Sequence, residues 1–449
     1  MKKRIISFYV IGKMPRGLKT LYLSFDEGLI THYGGLFLIK RFCKCLQLRW
    51  RLENELPIQK YQGTYKTADI YLALLFAIVI GLKRINKTEL LQYNGAFLSL
   101  LGIDRYPDQA TLRRFLKRLT PKDIKHVVQL HNNLRREIFN NPAVRSSLIF
   151  DIDSTVLVIY GKHQGAKVGY NPKKPGRRSY QPLLCFEALM QEFWHGSLRP
   201  GNVNAVSGAP ACIKACLEKV PGNIARSRIR FRADAGFYSH KIAETIESAG
   251  CGYAIVAKLT APLKAKSVAC RFQRLNNGWE VSEFRHQPHH WNKPHRYVVV
   301  RRPIPTDLEE AKQLTLFKDK KYAYHVIVTN LTMHPWRVWL FYAGRANIEK
   351  NIRELVYDYP LGHIPTSDWT ANVAFFQLVL FAYNIVHWFK RLYLPPEYCY
   401  ATLETIRSHF LVIPAKLSKQ GSKNILHLPR DYHYRHEFEA AFRKLQKRI

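Results

Sequence analysis

The sequence predicts an α/β protein in which a helical N-terminal region precedes a mixed sheet. Two observations predict this class. Apolar residues recur at helical spacing through residues 30–145, and from residue 147 the spacing changes to the period of two that is typical of strands. The chain has 449 residues, of which 47% are hydrophobic, so it can bury the cores of two or three domains.

The segment PDQATLRRFLKRL, residues 107–119, illustrates the helical region. Asp108 is a suitable N-cap, because its side chain can accept a hydrogen bond from the first turn. One face of the predicted helix is apolar, with Leu112, Phe115, Leu116 and Leu119. The opposite face is basic, with Arg113, Arg114, Lys117 and Arg118. The basic face is either a solvated surface or a DNA contact.

From residue 146 to residue 264, the predicted elements run strand, strand, strand, helix, strand, helix, strand. The order is that of an RNase H-like core. The strands are SSLIFDIDSTVLVIYG, YQPLLCFEALM, EFWHGSLRPG, SRIRFRAD and GYAIVAKL, and the helices cover residues 208–219 and 240–249.

A β-rich block follows and interrupts this core. Asn277-Gly278 is a hairpin turn signal, and strand-like segments come after it. Helices resume near residue 342. We therefore predict an RNase H-like core, a mixed sheet with helices, formed by residues 146–264 plus 342–395. A helical DNA-binding or assembly region precedes it at 1–145, the β-rich insertion covers 265–341, and a basic C-terminal tail covers 396–449.

Two aspartates lie in the middle of the first predicted strand. In SSLIFDIDSTV, Leu148, Phe150 and Ile152 share one face, and Asp151 and Asp153 lie on the other. A carboxylate pair on a half-buried strand is costly unless a positive partner lies opposite: an Arg or Lys, backbone N–H groups, or a metal ion. Alternatively the strand could end at a turn, although the apolar residues that follow, 156–159, continue the strand pattern.

The charge balance indicates a polyanionic partner. Lys and Arg number 70 against 33 Asp and Glu, which gives a formal charge of +37. Nucleic acid is the partner that this charge favours, and a membrane surface is the weaker alternative. The apolar segment 371–389 is long enough to span a bilayer, but it contains Asn372, Gln377, Asn384 and His387, so we predict a buried helix.

The cysteines and histidines give no clear metal pattern. The eight cysteines are scattered without a zinc-ligand spacing, and the N-terminus is a poor signal peptide, so we expect free thiols and a cytoplasmic location. Four histidines cluster within ten residues, where a metal site and a DNA-facing basic loop are the alternatives. They are His286, His289, His290 and His295.

Three carboxylate positions, one of them Asp153, suggest a catalytic site. Asp153 lies on the first strand and Asp234 at the end of the fourth, and these strands are neighbours in an RNase H-like sheet. Tyr342, Arg345 and Glu349 are spaced three and four apart, so they would share one helical face. Carboxylate oxygens are the ligands that Mg²⁺ prefers, and three of them could complete a two-metal site for attack at phosphorus.

These motifs carry a resemblance to a known family. FDIDST, RADAGFY and the Y-x2-R-x3-E pattern resemble the DDE transposases of bacterial insertion sequences, in the branch with a β-rich insertion before the glutamate. The similarity spans residues 30–430 and includes three other stretches, GYNPKKPGRRSYQPLL, RANIEKNIRELVYDYPLGHIP and AYNIVHWF. Each motif is weak alone, but together they are specific in this order and spacing.

The resemblance implies roles for individual residues. Asp153, Asp234 and Glu349 would be the catalytic metal ligands, holding two Mg²⁺ ions for which Mn²⁺ can substitute. Tyr342 and Arg345 would contact DNA phosphate. The family pattern has Lys seven positions after the glutamate, where this chain has Val356, and Lys350 lies on a different face. Asp151 is the rival for the first ligand.

The resemblance also implies a function. The protein would bind the terminal inverted repeats of its element, cleave the DNA ends with metal-activated water and join the 3′-hydroxyls to target DNA. It would act as a homodimer on paired ends, at the bacterial nucleoid and without a membrane. The alternatives are a DNA-binding descendant without catalysis and a nuclease without strand transfer.

Two other groups of residues are candidate DNA contacts. Loop 170–180 would touch DNA through four cations, unless it is a solvated hairpin: Lys173, Lys174, Arg177 and Arg178. Trp279 or Trp291 in the insertion would stack on an unpaired base, unless they are core residues.

Overall fold

A computed structural model describes residues 27–56, 64–139, 146–172, 174–304 and 321–447, and the backbone of residues 9–10, 22–23 and 317–318. The helices are α1 (Leu36–Cys45), α2 (Leu48–Asn54), α3 (Thr67–Val79), α4 (Gly95–Leu101), α5 (Gln109–Arg118), α6 (Pro121–Phe139), α7 (Ala209–Glu218), α8 (His240–Ser248), α9 (Ala261–Ala269), α10 (Pro335–Ala343), α11 (Ala346–Tyr357), α12 (Trp369–Tyr393), α13 (Leu403–Ile406) and α14 (Arg435–Gln446).

The strands are β1 (Tyr9–Val10), β2 (Tyr22–Leu23), β3 (Ile30–Thr31), β4 (Leu148–Ser154), β5 (Leu157–Val158), β6 (Lys167–Val168), β7 (Arg178–Tyr180), β8 (Leu183–Glu187), β9 (Glu192–Ser197), β10 (Ile229–Ala233), β11 (Gly252–Val256), β12 (Gln273–Arg274), β13 (Glu280–His286), β14 (His295–Pro303), β15 (Phe317–Lys318), β16 (Tyr322–Thr329), β17 (Ala415–Gln420) and β18 (Lys423–His427).

The core of the largest sheet has the predicted strand order. Strand β4 is central: it pairs with β10 in parallel and with β8 antiparallel. Strand β9 pairs antiparallel with β8 on one side, and β11 pairs in parallel with β10 on the other. The order β9-β8-β4-β10-β11, with α7 and α8 in the connections, is that of an RNase H-like core. The fold class predicted from the sequence is therefore confirmed for this part of the chain.

The β-rich region 265–341 does not fold apart from this core. Its strands β12, β13, β14 and β16 continue the same sheet, because β16 pairs antiparallel with both β11 and β14. Gly278 lies in the turn between β12 and β13 with a φ of +79°, a conformation that favours glycine, so the hairpin predicted at Asn277-Gly278 is confirmed. The insertion thereby satisfies the backbone groups at the edge of β11, which would otherwise be exposed.

The two faces of β4 differ as the alternation predicts. Leu148, Phe150 and Ile152 are buried in a cluster with the apolar residues of α7 and α8. Asp151 and Asp153 lie on the other face of the strand, on the side where α10 and α11 pack. The sheet therefore has an apolar side that stabilises it and a side that carries the acidic residues.

Helix α12 is the centre of a second, helical core. It packs against α3, α5, α6 and β9. Among the described residues it alone is long and apolar enough to span a membrane, and 83% of its most apolar window is buried inside the fold. The amide of Asn384 is paired within the fold: it accepts a hydrogen bond from the backbone N–H of Phe193 and donates one to the carbonyl of the same residue. The buried helix predicted at 371–389 is confirmed.

The remaining elements complete the helical core. The predicted N-cap of α5 is present, because Oδ1 of Asp108 accepts a hydrogen bond of 2.7 Å from the backbone N–H of Thr111. Helix α14 packs on α1, and the hairpin β17–β18 pairs with β3, so the described part of the basic region 396–449 is folded. The eight cysteines are free thiols.

Candidate active site

Strands β4 and β10 bring the two aspartates of the site together. Their parallel register pairs Ile152 with Ala233, so the next residues along each strand, Asp153 and Asp234, are neighbours. Asp234 is the first residue after β10. It caps a short turn, and its Oδ1 accepts a hydrogen bond of 2.9 Å from the backbone N–H of Gly236. The convergence of these carboxylates follows from the sheet topology.

Glu349 comes from the first turn of α11, and its side chain is exposed. The expectation that Tyr342, Arg345 and Glu349 share one helix is wrong in one respect: α10 ends at Ala343 and α11 starts at Ala346. The connection keeps helical dihedral angles but tightens, since the N–H of Arg345 bonds to the carbonyl of Tyr342 at 2.8 Å. This short break leaves the three residues on the same side.

The guanidinium of Arg345 lies among all three carboxylates. Its Nη2 is 2.9 Å from Oδ2 of Asp153 and 3.7 Å from Oδ2 of Asp234, and its Nη1 is 3.7 Å from Oε1 of Glu349. The Arg345 side chain is only 7% exposed, whereas that of Glu349 is 65% exposed. The cluster is therefore closed beneath by the arginine and open to solvent on the glutamate side.

The site shifts the protonation of its members. Burial raises the pKa of Asp153 to about 6; Arg345 opposes this rise, and the nearby charges of Asp234 and Glu349 add to it. Burial also raises the pKa of Tyr342 to about 12. Burial works against the charge of Arg345, but Asp153 and its other anionic neighbours outweigh it and raise the pKa of the guanidinium. The arginine is therefore a permanent cation within an acidic cluster.

Asp151 has a different partner. Nε and Nη2 of Arg232 donate to its two oxygens at 2.6 and 2.8 Å, and Nη1 of Arg232 donates to the carbonyl of Phe341 at 2.6 Å. Burial raises the pKa of Asp151, and the hydrogen bonds from Arg232 oppose that rise. Both oxygens of Asp151 are thus occupied by a structural ion pair, which ties β4 and β10 to α10.

Sequence reasoning missed Arg232. A usable signal was present, because SRIRFRAD alternates Arg230 and Arg232 with Ile229 and Phe231. That alternation places both arginines on the polar face, and the parallel register sets Arg232 opposite Asp151. Gly344 belongs to the same arrangement: a Cβ at this position would lie 2.5 Å from Nη1 of Arg232, so a side chain there would disturb the ion pair.

The donor set of the cluster fits a divalent metal. Three carboxylates offer the hard oxygen ligands that Mg²⁺ takes. Within the described residues, however, no group of three His, Cys, Asp or Glu side chains has the arrangement of a metal site, and this includes the four clustered histidines. At the carboxylate cluster, the guanidinium of Arg345 lies between the oxygens. The three carboxylates are therefore the right kind of ligand for Mg²⁺, but their present distances are those of ion pairs with Arg345.

Position 356, where the family pattern has Lys, faces inward. Val356 is half-buried and packs against the helical core. Lys350 and Arg353 are both exposed, and Arg353 follows Glu349 by one helical turn, so it lies on the face of α11 that carries the glutamate. Arg353 is therefore the described cation of α11 that is best aligned with the site.

The predicted DNA-binding loop lies just beyond the strand that carries Asp153. Lys174, Arg177 and Arg178 are exposed, and Lys173 lies outside the described residues. Nζ of Lys174 donates to Oη of Tyr160 at 2.5 Å and lies 5.2 Å from the centre of that ring. Strand β7, which starts at Arg178, pairs with β5, and β5 follows β4 along the chain.

The two tryptophans proposed for base stacking differ. Trp291 is buried, with its ring 5.1 Å from Tyr238 and 4.7 Å from His295, so a stacking role for it is wrong. Trp279 is half-buried, and its ring is 5.7 Å from that of Trp339. The ring of Trp339 is in turn 6.2 Å from that of Tyr342, so Trp279 belongs to an aromatic group that reaches the site.

Two solved structures are similar to this chain at low sequence identity. Among solved structures, the chain is similar to a cryo-EM structure of the piggyBac transposase synaptic complex with hairpin DNA, with 11% identity, 93% of this chain and 82% of that chain covered, and a TM-score of 0.45. It is also similar to the Mos1 transposase paired-end complex with left transposon end, with 11% identity, coverages of 44% and 59%, and a TM-score of 0.17. No curated protein matches the chain.

A family model gives the decisive match. The model described as Transposase DDE domain group 1 matches residues 14–448, which include the three carboxylates and the whole sheet core. The chain therefore belongs to the DDE transposases of this group, enzymes that cleave and join DNA.

Proposed function

We propose that this chain is the transposase of an insertion sequence, with Asp153, Asp234 and Glu349 as its catalytic metal ligands. One observation carries the proposal. Carboxylates from two parallel strands and from α11 converge on a single guanidinium, at distances of 2.9 to 3.7 Å. A cluster of three anionic side chains around one cation would be costly to keep in a fold unless the anions had a use.

The ligands would work as follows. Asp153, Asp234 and Glu349 would hold two Mg²⁺ ions, for which Mn²⁺ can substitute; when bound, such ions activate water and stabilise the attacking and leaving oxygens at phosphorus. Tyr342 and Arg345 lie beside the carboxylates, where they can orient the scissile phosphate. Hydrolysis and strand transfer are the same attack with different nucleophiles, so one site serves both steps.

The DNA would follow a track of cations from the site to the helical region. The track starts at Lys174, Arg177 and Arg178 and passes Tyr160, which contacts Lys174. Tyr160 also lines a cavity of about 290 Å³ that no described carboxylate lines. Its lining includes two arginines and two histidines from separate segments of the chain, and Arg113 belongs to the basic face of α5. They are Arg84, Arg113, His163 and His363.

The finer function rests on the family pattern. The protein would bind the terminal inverted repeats of its element, cut them to free 3′-hydroxyls and join those ends to target DNA. It would act as at least a dimer on paired ends, at the nucleoid in the bacterial cytoplasm. The formal charge of +37 supports the affinity for DNA, because each neutralised phosphate releases counterions.

The decisive experiment joins DNA in vitro. A duplex taken from the DNA that flanks the gene, cleaved beforehand to expose its 3′-hydroxyl, is incubated with the protein, Mg²⁺ and a supercoiled plasmid. A transposase inserts the end into the plasmid. The same duplex is also tested without prior cleavage. A nuclease without strand transfer cleaves this uncut duplex but joins no end to the plasmid, and a DNA-binding descendant neither cleaves nor joins. Light scattering of the DNA complex tests the dimer.

A further inference from the structure

We propose that Arg345 is the resident counter-ion of the carboxylate cluster, and that metal and DNA bind cooperatively because a DNA phosphate draws this arginine away from the carboxylates. The inference rests on the proposed function, since it takes Asp153, Asp234 and Glu349 as the metal ligands. It adds a competition between Arg345 and the metal for the same oxygens.

The competition follows from the distances. One oxygen of each carboxylate lies within 3.7 Å of a guanidinium nitrogen of Arg345. Mg²⁺ needs its oxygen ligands at about 2.0–2.1 Å, so the ion must occupy the space among these oxygens. A divalent cation there would also meet the positive charge of the arginine at short range, where repulsion is strong in a buried site. Metal entry therefore requires the guanidinium to move.

Arg345 is weakly anchored compared with Arg232. All three nitrogens of Arg232 donate hydrogen bonds, to Asp151 and to the carbonyl of Phe341. Nε and Nη2 of Arg345 are buried and make no hydrogen bond to the described residues, although Nη2 forms an ion pair with Asp153. Arg345 is held by ion pairs without hydrogen bonds from Nε and Nη2, so a better-matched anion can draw it from the cluster.

A DNA phosphate is such an anion. Arginine binds phosphate through pairs of N–H groups in a fixed fork, and Arg345 has N–H groups without partners. The cluster is open on the side of Glu349, so a phosphate can approach there. When the guanidinium turns to the phosphate, the carboxylate oxygens become free for metal. Because coupling between two ligands is reciprocal, bound metal must tighten DNA binding by the same factor.

The test measures binding and not activity. Isothermal titration with Mn²⁺ is run on the full chain, with and without a terminal-repeat duplex whose scissile phosphate is replaced by an uncleavable phosphonate that keeps the negative charge. We expect the duplex to raise the Mn²⁺ affinity of the wild-type protein about tenfold, within the usual range for such coupling. Equal Mn²⁺ affinity with and without DNA would overturn the proposal, and this arm needs no variant.

A second arm identifies the residue. Arg345→Gln is expected to bind Mn²⁺ about tenfold more tightly than wild type without DNA, and to lose the effect of DNA. Lys350→Gln is the matched control: it removes one exposed positive charge from α11, on a different face from Glu349, and it should leave the coupling intact. An unchanged or weaker Mn²⁺ affinity in a folded Arg345→Gln would overturn the proposed competition between the arginine and the metal.

Asp153→Asn separates this inference from the proposed function. If Asp153→Asn abolishes Mn²⁺ binding while Arg345→Gln leaves it unchanged, the metal site stands and the competition fails. If Asp153→Asn and wild type bind Mn²⁺ equally, Asp153 is not a metal ligand, and the proposed function loses the carboxylate that lies closest to Arg345.

Discussion

Strand β4 carries two aspartates, two residues apart, and each forms an ion pair with an arginine from another part of the chain. The two pairs differ in their hydrogen bonds and in the number of carboxylates that share the arginine. Asp151 and Arg232 form a buried, two-pronged ion pair in which both carboxylate oxygens accept hydrogen bonds. Asp153 and Arg345 touch through one short contact, and two further carboxylates approach the same guanidinium. The first pair joins β4 to α10, whereas the second leaves carboxylate charge that only one arginine compensates and that another ligand can bind.

The contrast teaches how to recognise a site beside a structural charge pair. A buried carboxylate whose two oxygens are both bound by one guanidinium already has its charge compensated, so it gains little from a metal. A carboxylate that shares one cation with two other carboxylates keeps negative charge that can bind a metal. The following predictions test whether this division between Asp151 and Asp153 is correct.

The largest effect should come from the acidic trio. Asp153→Asn, Asp234→Asn and Glu349→Gln each keep the size of the side chain and remove a ligand charge. Because several kcal/mol of transition-state stabilisation depends on the metal, each should lower cleavage and joining at least about 100-fold. The measurement is cleavage of a labelled terminal repeat with Mg²⁺, beside a gel shift of the same DNA. Wild-type rates in any of the three would remove that residue from the site.

The second prediction concerns stability at the closed pair. Asp151→Asn leaves Arg232 buried with less compensation, so the free energy of unfolding should fall by about 3–5 kcal/mol. Asp153→Asn should change it by less than about 1 kcal/mol, because burial already disfavours the charge of Asp153. Guanidinium unfolding measures both values. The double variant Asp151→Asn/Arg232→Gln should recover part of the lost stability, since no unpaired charge remains. Equal losses of stability in Asp151→Asn and Asp153→Asn would contradict the distinction between the two aspartates.

Loop 170–180 should contribute to the affinity for DNA. Lys174, Arg177 and Arg178 changed together to Gln should reduce the slope of log K against log salt by about three, because three phosphate contacts are lost. The matched control changes Lys419, Lys423 and Arg430, which are exposed on or beside the hairpin β17–β18. If both triple variants weaken end binding equally, the loop has no special role, and affinity comes from the overall charge.

The smallest predicted effect concerns the two tryptophans of the insertion. Trp291 is buried in the core, whereas Trp279 is half-buried and belongs to the aromatic group near the site. Trp279→Ala should slow a step after nicking by an amount that corresponds to about 1–3 kcal/mol, the contribution of stacking on one base. Trp291→Ala should lower the melting temperature and leave the rate of the folded protein unchanged, because that ring is in the core. Pre-nicked and intact duplexes, compared in single-turnover assays, isolate the step.

Much of the fold was readable from local pattern. The alternation in β4, the N-cap at Asp108 and the turn at Asn277-Gly278 depend on residues close together in the chain, and all three are present. The order of strands and helices predicted the RNase H-like core, because connections between neighbouring elements are short and follow few topologies. Asp153 and Asp234 could be paired for the same reason, because their strands are neighbours in that core. Glu349 was named from the Y-x2-R-x3-E pattern and the family resemblance.

The tertiary structure decided which charges pair. Arg232 is 81 residues from Asp151 and Arg345 is 192 residues from Asp153, and no local pattern ranks the possible partners of a buried carboxylate across such separations. Packing also turned Val356 inward and added the strands of the insertion to the core sheet. The sequence by itself determined the elements and the acidic residues they carry. Only the fold decided that one aspartate is bound in a closed pair and the other is open to a ligand, because this depends on the distances between side chains from distant segments.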